Sequence, residues 1–302
     1  MAEHKPVWTI VKIIEWTKQY FKGKGVENPR LDAEVLLCDV LKCSRLDLYT
    51  HFDQPLEEEE LKKYRTYVMR RAQREPLAYI LGKKAFLQYE FKVTPATLVP
   101  RPETELLVEQ VVKLNKAKQP REILDIGCGS GAILVSLLAQ LQESRGLGLD
   151  ISSEAVEVTL ENAQALGVQE RCAALVSDLF AHMLPDDKFN VIVSNPPYIP
   201  SNLLATLDAD VRKEPKAALD GGKDGLDFYR KILAEINQYL LPEGMLALEI
   251  GINQGAAVKT LCQDAGFAVV NVQKDYAGID RLVFATKEGS CYADEIMAIR
   301  IN

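Results

Sequence analysis

Glu122-Ile123-Leu124-Asp125-Ile126-Gly127-Cys128-Gly129-Ser130-Gly131 is the stretch that decides the fold. Its first five residues read as a strand, and residues 132–141 continue as an apolar helix. Three glycines in five positions let the backbone turn sharply from strand to helix and approach a ligand closely. The next strand, Gly146-Leu147-Gly148-Leu149, ends at Asp150, an acid placed to grip the two hydroxyls of a ribose. A third, around Ala174-Leu175-Val176, ends at Ser177-Asp178-Leu179, which would border an adenine ring. The dinucleotide fingerprint G-x-G-x-x-G is not met, because the third glycine comes one residue early at Gly131. No Gly-Lys-Ser/Thr follows, which argues against a triphosphate cradle.

Asp125, ahead of the glycines, suits a ligand with a positive amino group better than a pyrophosphate. S-adenosyl-L-methionine carries both that ammonium and a ribose. About seventy residues downstream, the apolar run Phe189-Asn190-Val191-Ile192-Val193-Ser194 reads as a strand buried on both faces. From its carboxyl end emerge Asn195-Pro196-Pro197-Tyr198, at the sheet edge where open α/β folds hold ligands. Each proline lacks an N–H, so a stiff turn is left with carbonyls short of neighbouring donors. Such a turn is suited to accepting hydrogen bonds from a planar –NH2 group.

Strands near 122–126, 145–149, 172–176, 189–194, 245–250, 267–273 and 281–286 alternate with helices near 131–143, 153–166, 226–241 and 253–265. That alternation predicts a parallel sheet covered on both faces. The last two strands are joined without a helix, so one of them should run antiparallel. Upstream, Val7, Ile10, Val11, Ile14 and Phe21 recur at helical spacing, and Pro29 precedes a second apolar helix face. The expected organisation is a small helical bundle over 1–76, a β-hairpin linker over 77–100, the catalytic domain over 101–288 and a tail over 289–302. Residues 199–225, rich in Pro, Asp and Gly, read as a functional loop forming part of a substrate wall.

Net charge is −7, and it is unevenly spread. Residues 1–120 carry 21 Lys/Arg against 17 Asp/Glu, whereas 121–302 carry 15 against 26. An acidic catalytic half argues against gripping duplex DNA, which needs a basic face. The mildly basic front half fits either docking of an acidic partner or simply solvated helix faces. Six scattered cysteines without a C-x-x-C pair read as reduced thiols, and Cys128 as a small filler. His4, His51 and His182 are dispersed, so no metal is expected. No long apolar run and no signal-peptide pattern are present, so a soluble, cytoplasmic protein without membrane contact is expected.

Taken together, 125–131, Asp150 and 195–198 resemble a class I (Rossmann-like) S-adenosylmethionine-dependent methyltransferase of the amino-methylating kind. Residues 74–82 (REPLAYILG), 98–105 (LVPRPETE), 221–230 (GGKDGLDFYR) and Glu249-Ile250-Gly251 with Gln254 narrow the resemblance to the HemK/PrmC family, over roughly residues 5–287. The resemblance implies an α/β fold with a seven-stranded, mostly parallel sheet. It also implies methylation of the side-chain nitrogen of the glutamine in the Gly-Gly-Gln motif of class 1 peptide-chain release factors, with S-adenosyl-L-homocysteine as by-product. A monomer acting on a protein, with no direct nucleic-acid contact, is expected.

The expected cofactor site is Asp125, Gly127, Cys128, Gly129, Ser130, Gly131, Asp150, Asp178, Leu179 and Asn195. Asn195, Pro196, Pro197 and Tyr198 form the expected substrate site. Of these, Asn195 and Pro196 are expected to accept the amide hydrogens, and Tyr198 to offer a flat face. Rival readings are a glutamine methyltransferase acting on a ribosomal protein, an adenine-N6 nucleic-acid methyltransferase, which shares the Asn-Pro-Pro-Tyr tetrapeptide, and a non-catalytic binding module.

Overall fold

The computed structural model describes residues 7–118 and 120–300. Among these the strands are β1 (Lys83–Phe86), β2 (Tyr89–Lys92), β3 (Glu122–Ile126), β4 (Arg145–Asp150), β5 (Cys172–Val176), β6 (Phe189–Ser194), β7 (Leu240–Glu249), β8 (Val269–Lys274) and β9 (Asp280–Thr286). The helices are α1 (Ile10–Gly23), α2 (Pro29–Leu41), α3 (Arg45–Thr50), α4 (Glu58–Ala72), α5 (Leu77–Leu81), α6 (Pro102–Asn115), α7 (Ala132–Gln140), α8 (Ser153–Ala165), α9 (Asp227–Tyr239), α10 (Gly255–Asp264) and α11 (Ala293–Ala298). The chain divides into two units, Met1–Gly82 with Asp208–Lys213, and Lys83–Leu207 with Glu214–Asn302.

The larger unit holds a seven-stranded sheet in the order β5-β4-β3-β6-β7-β9-β8. All neighbours run parallel except β9, which is antiparallel to both β7 and β8. The class I methyltransferase architecture expected from the sequence is therefore present. Its strands are apolar on both sides because both faces are covered. Ile123, Val191, Val193, Met245, Ala247, Leu282 and Phe284 pack on one face with α6, α7 and α11. Leu124, Ile126, Ile192, Leu246, Leu248, Val283 and Ala285 pack on the other with α9 and α10. This strict alternation is the period-two signature of strands. From β3 the chain runs outward to β4 and β5, then returns to β6 on the opposite side of β3. The resulting switch point opens a crevice beyond the carboxyl ends of β3 and β6.

One local reading differs from expectation. Residues 77–81 form a helical turn, ended by Gly82 at a left-handed φ of 72°. Within 199–225 lies a 3-10 segment, Ser201–Thr206. The tail, which carried no expectation, places Tyr292, Ile296 and Ile299 in the core of the larger unit. The β1–β2 hairpin also belongs to that unit, with the rings of Phe86 and Phe91 buried and edge-on to each other.

In the smaller unit, Ile10, Ile14, Phe21, Leu36, Leu37, Tyr64, Val68 and Ile80 form a separate core. Arg71 is buried there between Asp32 at 2.6 Å and Asp210 at 2.5 Å. No helix among the described residues is long and apolar enough to cross a membrane.

Gly146 is spared a side chain by the helix above it. A Cβ there would lie 2.5 Å from Leu134 Cδ1 of α7, itself fully buried. Gly146→Ala should cost about 1–3 kcal/mol and Leu134→Ala about 2–5 kcal/mol. Because each change relieves the other, the double variant should cost less than the sum, as read by chemical denaturation.

Candidate active site

The glycine loop leaves β3 under three left-handed residues, Gly127 (φ 76°), Gly129 (φ 57°) and Gly131 (φ 77°). They serve different ends. A Cβ on Gly127 or Gly129 would meet no atom within 4 Å, and both residues line a cavity of about 540 Å3. On Gly131 it would meet Thr159 Cγ2 at 3.0 Å and Val135 Cγ2 at 3.1 Å. The first two glycines thus open space for a ligand, and the third lets α7 and α8 close together.

Two residues of α8, one turn apart, secure the loop. Thr159 Oγ1 donates to the Gly129 carbonyl at 3.1 Å, and Asn162 Nδ2 donates to the Ser130 carbonyl at 2.8 Å. Asn162 Oδ1 also accepts the Lys92 N–H of β2 at 2.8 Å. Neither residue was singled out from the sequence, although a polar pair at i, i+3 on an otherwise apolar face is a usable signal.

At the end of β4, Asp150 Oδ2 accepts the Gly129 N–H at 2.8 Å and Oδ1 accepts the Ser152 N–H at 3.0 Å. Burial raises its pKa, and those N–H bonds oppose the rise. The carboxylate is thus fixed at the cavity wall with acceptor capacity remaining. Beyond β5, the Ser177 hydroxyl donates to the Leu179 carbonyl at 2.7 Å, holding the turn that carries Asp178 and Leu179.

At the end of β6, the Ser194 hydroxyl donates to the Ile126 carbonyl at 2.6 Å, tying the two central strand ends together. Asn195 follows, with its Nδ2 donating to Thr104 Oγ1 of α6 at 3.2 Å. The Thr104 hydroxyl in turn donates to Glu249 Oε2 at 2.6 Å. Among the described residues no donor is bonded to the Pro196 carbonyl.

The turn is braced from behind by backbone. A Cβ on Gly221 would sit 2.8 Å from the Pro197 carbonyl oxygen, and one on Gly225 would strike the Tyr198 carbonyl. Gln254 Nε2 bridges the carbonyls of Tyr198, at 2.9 Å, and Gly225, at 3.1 Å. Its Oε1 accepts the Gly251 N–H at 2.8 Å. These contacts supply a physical reason for the glycine-rich 221–225 segment and for Gln254.

Gly127, Cys128, Gly129, Ser130, Asp150, Asp178, Leu179, Asn195, Pro196 and Pro197 all line the one cavity. Gly131, Asp125 and Tyr198 stand behind that lining. Asp125 is fully buried, and its Oδ2 accepts the Leu134 N–H at 3.2 Å near the start of α7. The Tyr198 ring packs against Gly251, where an added Cβ would lie 2.9 Å from Cδ2. Burial pushes its hydroxyl up to about 12.

Arg101 lines the cavity and pairs with Glu214 at 2.6 Å. Glu214 also accepts the Val99 N–H at 2.9 Å. Glu105 accepts the Leu87 N–H of the hairpin at 2.9 Å. Among the described residues no cluster of three or more His, Cys, Asp or Glu is placed to hold a metal ion.

The donor set fits S-adenosyl-L-methionine: an apolar-walled cavity, two glycines open to it and a fixed carboxylate at the end of the second strand. Residues 12–82 match the family model described as PrmC N-terminal domain, and residues 102–210 match Methyltransferase small domain. A release factor glutamine methyltransferase of Geobacter sulfurreducens is 45% identical over 284 residues, covering 94% of this chain and 98% of its own length. One from Caulobacter vibrioides is 40% identical over 280 residues, covering 92% and 96%. Among solved structures, the hMettl16 catalytic domain in complex with MAT2A 3'UTR hairpin 1 aligns at a TM-score of 0.54 and 13% identity, over 78% of this chain and 84% of that one. That likeness concerns the fold alone.

Burial raises the Asp125 carboxyl from 3.8 to about 7, and among the described residues Asp125 Oδ1 has no hydrogen-bond partner. A raised carboxyl favours the folded state in its neutral form. Its contribution is intact below pH 3.8 and is lost as pH rises toward 7. Asp125→Asn keeps an acceptor for Leu134 without the charge. Relative to the parent, the variant should gain roughly 2–4 kcal/mol between pH 4 and 7.5, read by denaturant unfolding across that range.

Proposed function

The chain belongs to the release factor glutamine methyltransferase family, and from that membership and the site geometry we propose that it methylates the side-chain amide nitrogen of the glutamine in the Gly-Gly-Gln motif of class 1 peptide-chain release factors, with S-adenosyl-L-methionine as donor. The observation that carries this reading is the orientation of Asn195. Its Nδ2 is committed inward to Thr104, so its Oδ1 is left for the cavity beside the unpartnered Pro196 carbonyl.

Asp150 would hold the ribose hydroxyls, Asp178 and Leu179 would border the base, and the 127–130 loop would lie along the remainder of the donor. When bound, S-adenosyl-L-methionine supplies a methyl group already activated by its sulfonium. What the chain must add is placement, because an amide nitrogen is a weak nucleophile whose lone pair is delocalised into its carbonyl. Asn195 Oδ1 and the Pro196 carbonyl each accept one amide hydrogen, which fixes the nitrogen and presents its face. As positive charge develops there, the same two oxygens attract it more strongly than they attract the neutral amide. No general base is needed during transfer, since the N-methylated product loses its proton afterwards. Tyr198 serves as the rear support of the turn.

Incubating the protein with methyl-labelled donor and a class 1 release factor, then mapping the modified residue by mass, tests the assignment. Label on the Gly-Gly-Gln glutamine supports it; label only on a ribosomal protein or on DNA overturns it. Asn195→Ala should lower kcat at least about 100-fold while donor affinity stays within about threefold, as read by calorimetry. Asp150→Ala should instead weaken donor binding by roughly 10- to 100-fold.

A further inference from the structure

Asn195 is useful to an amide substrate only if it offers oxygen. Its carboxamide carries an acceptor and a donor at nearly equivalent corners, and a half-turn about the last side-chain bond exchanges them. Something in the protein must forbid that half-turn. The three groups in series behind the cavity do so by proton counting.

Glu249 lies at the end of β7, nearly completely buried, with Oε2 2.6 Å from the Thr104 hydroxyl. An ionised carboxylate only accepts hydrogen bonds, and a threonine hydroxyl has a single proton. That proton is therefore spent on Glu249, and the hydroxyl oxygen can do nothing toward Asn195 but accept. It accepts from Nδ2 at 3.2 Å. Turning the amide over would set two acceptors against each other in a buried site, where a lost hydrogen bond is costly.

We propose that Glu249 and Thr104 are positioning residues: the buried acid sets the direction of a hydrogen-bond chain that makes Asn195 present its carbonyl oxygen, not its NH2, to the cavity. The inference rests on the amide-methylation reading above and deepens it. It assigns a role to an acid whose sequence context gave none.

The chain has a built-in dependence on proton concentration. Burial pushes Glu249 from 4.5 up to about 7; the Thr104 hydrogen bond, the charge of Arg281 and the nearby Asn195 amide pull it down, and Glu103 pushes it up. Arg281 on β9 is itself engaged by Asp275 at 3.2 Å and by the Ile250 carbonyl at 3.3 Å, so it acts at longer range. The aromatic neighbours are Tyr198, raised to about 12, and Tyr229 of α9, raised well above its ordinary value by burial, so both stay neutral. Tyr229 donates to the Glu249 backbone carbonyl at 2.9 Å and not to its carboxylate. Once protonated, Glu249 can donate to Thr104, whose own proton is then free to turn toward Asn195. The chain loses its fixed direction as pH falls through about 7.

Two measurements on the full-length protein test this. In the first, without substrate, the Asn195 side-chain NH2 signals are followed by nitrogen-proton NMR from pH 5.5 to 8.5. They should titrate near neutrality in the parent and not in Glu249→Gln or Thr104→Val; a parent signal flat over this range overturns the inference. In the second, methyl transfer to a release factor is followed against pH. Both variants should lose roughly 10- to 100-fold in kcat at pH 8, with KM and donor affinity within about threefold.

The parent should show a fall in kcat below pH 7, and Glu249→Gln should lose it. Thr104→Ser, which keeps the hydroxyl, should recover most of the loss seen in Thr104→Val. Variants with kcat within twofold of the parent, or with losses in donor affinity and melting temperature that match the loss in kcat, overturn the inference. A parent that transfers no methyl group to a release factor overturns the proposed function instead, and the NMR titration still decides the hydrogen-bond chain.

Discussion

The bond from the Ser194 hydroxyl to the Ile126 carbonyl, 2.6 Å long, joins the ends of the two central strands from which both halves of the site depart. β3 releases the glycine loop one residue later, and β6 releases Asn195. Ile126 and Ser194 are register partners in the parallel pairing. A slip of one residue would exchange the faces of every side chain on β6. It would also carry Asn195 away from Thr104 and Glu249. The chemistry proposed for this chain therefore depends on strand register before it depends on any single reactive group.

Around that junction the two halves of the site are built by different means. The donor side is made largely of backbone: left-handed glycines, a carboxylate held by two N–H groups, and loop carbonyls clipped by Thr159 and Asn162. The acceptor side is rigid because prolines and glycines meet there. Pro196 and Pro197 stiffen the turn, and Gly221 and Gly225 permit backbone to press directly on it. A side chain at either glycine would collide with the backbone of the turn. In the proposed reaction, rigidity at this place serves orientation, since an amide must be presented edge and face at once.

Burial has a double role. Asp125 and Glu249 are both enclosed and both raised to about 7, yet they act on different things. Asp125 accepts the Leu134 N–H near the start of α7 and carries an unpartnered oxygen. Glu249 has Thr104 as its donor, and through it reaches the cavity. Both side chains take the same face of the sheet, and the difference lies in which helix packs there, α7 over Asp125 and α6 over Glu249.

Much of this was legible in the chain. The strand–glycine–helix unit, Asp150 at the next strand end, the Asn195 turn and the seven-strand alternation are local patterns, set by period-two burial, by the freedom of glycine and by the stiffness of proline. Those rules act over a few residues, so a sequence expresses them by itself. Other features were beyond its reach: Tyr198 turned to the rear, Asp125 set under a helix, the tail helix α11 folded into the core, and Thr104 with Glu249 joined across 145 residues. Each depends on which side chains from distant elements meet in a buried volume, where an unmatched donor or acceptor is costly. The sequence by itself determined the architecture and the residues available at the crevice. Only the tertiary structure decided which way the Asn195 amide faces, because that direction is set by hydrogen-bond partners that the fold alone brings together.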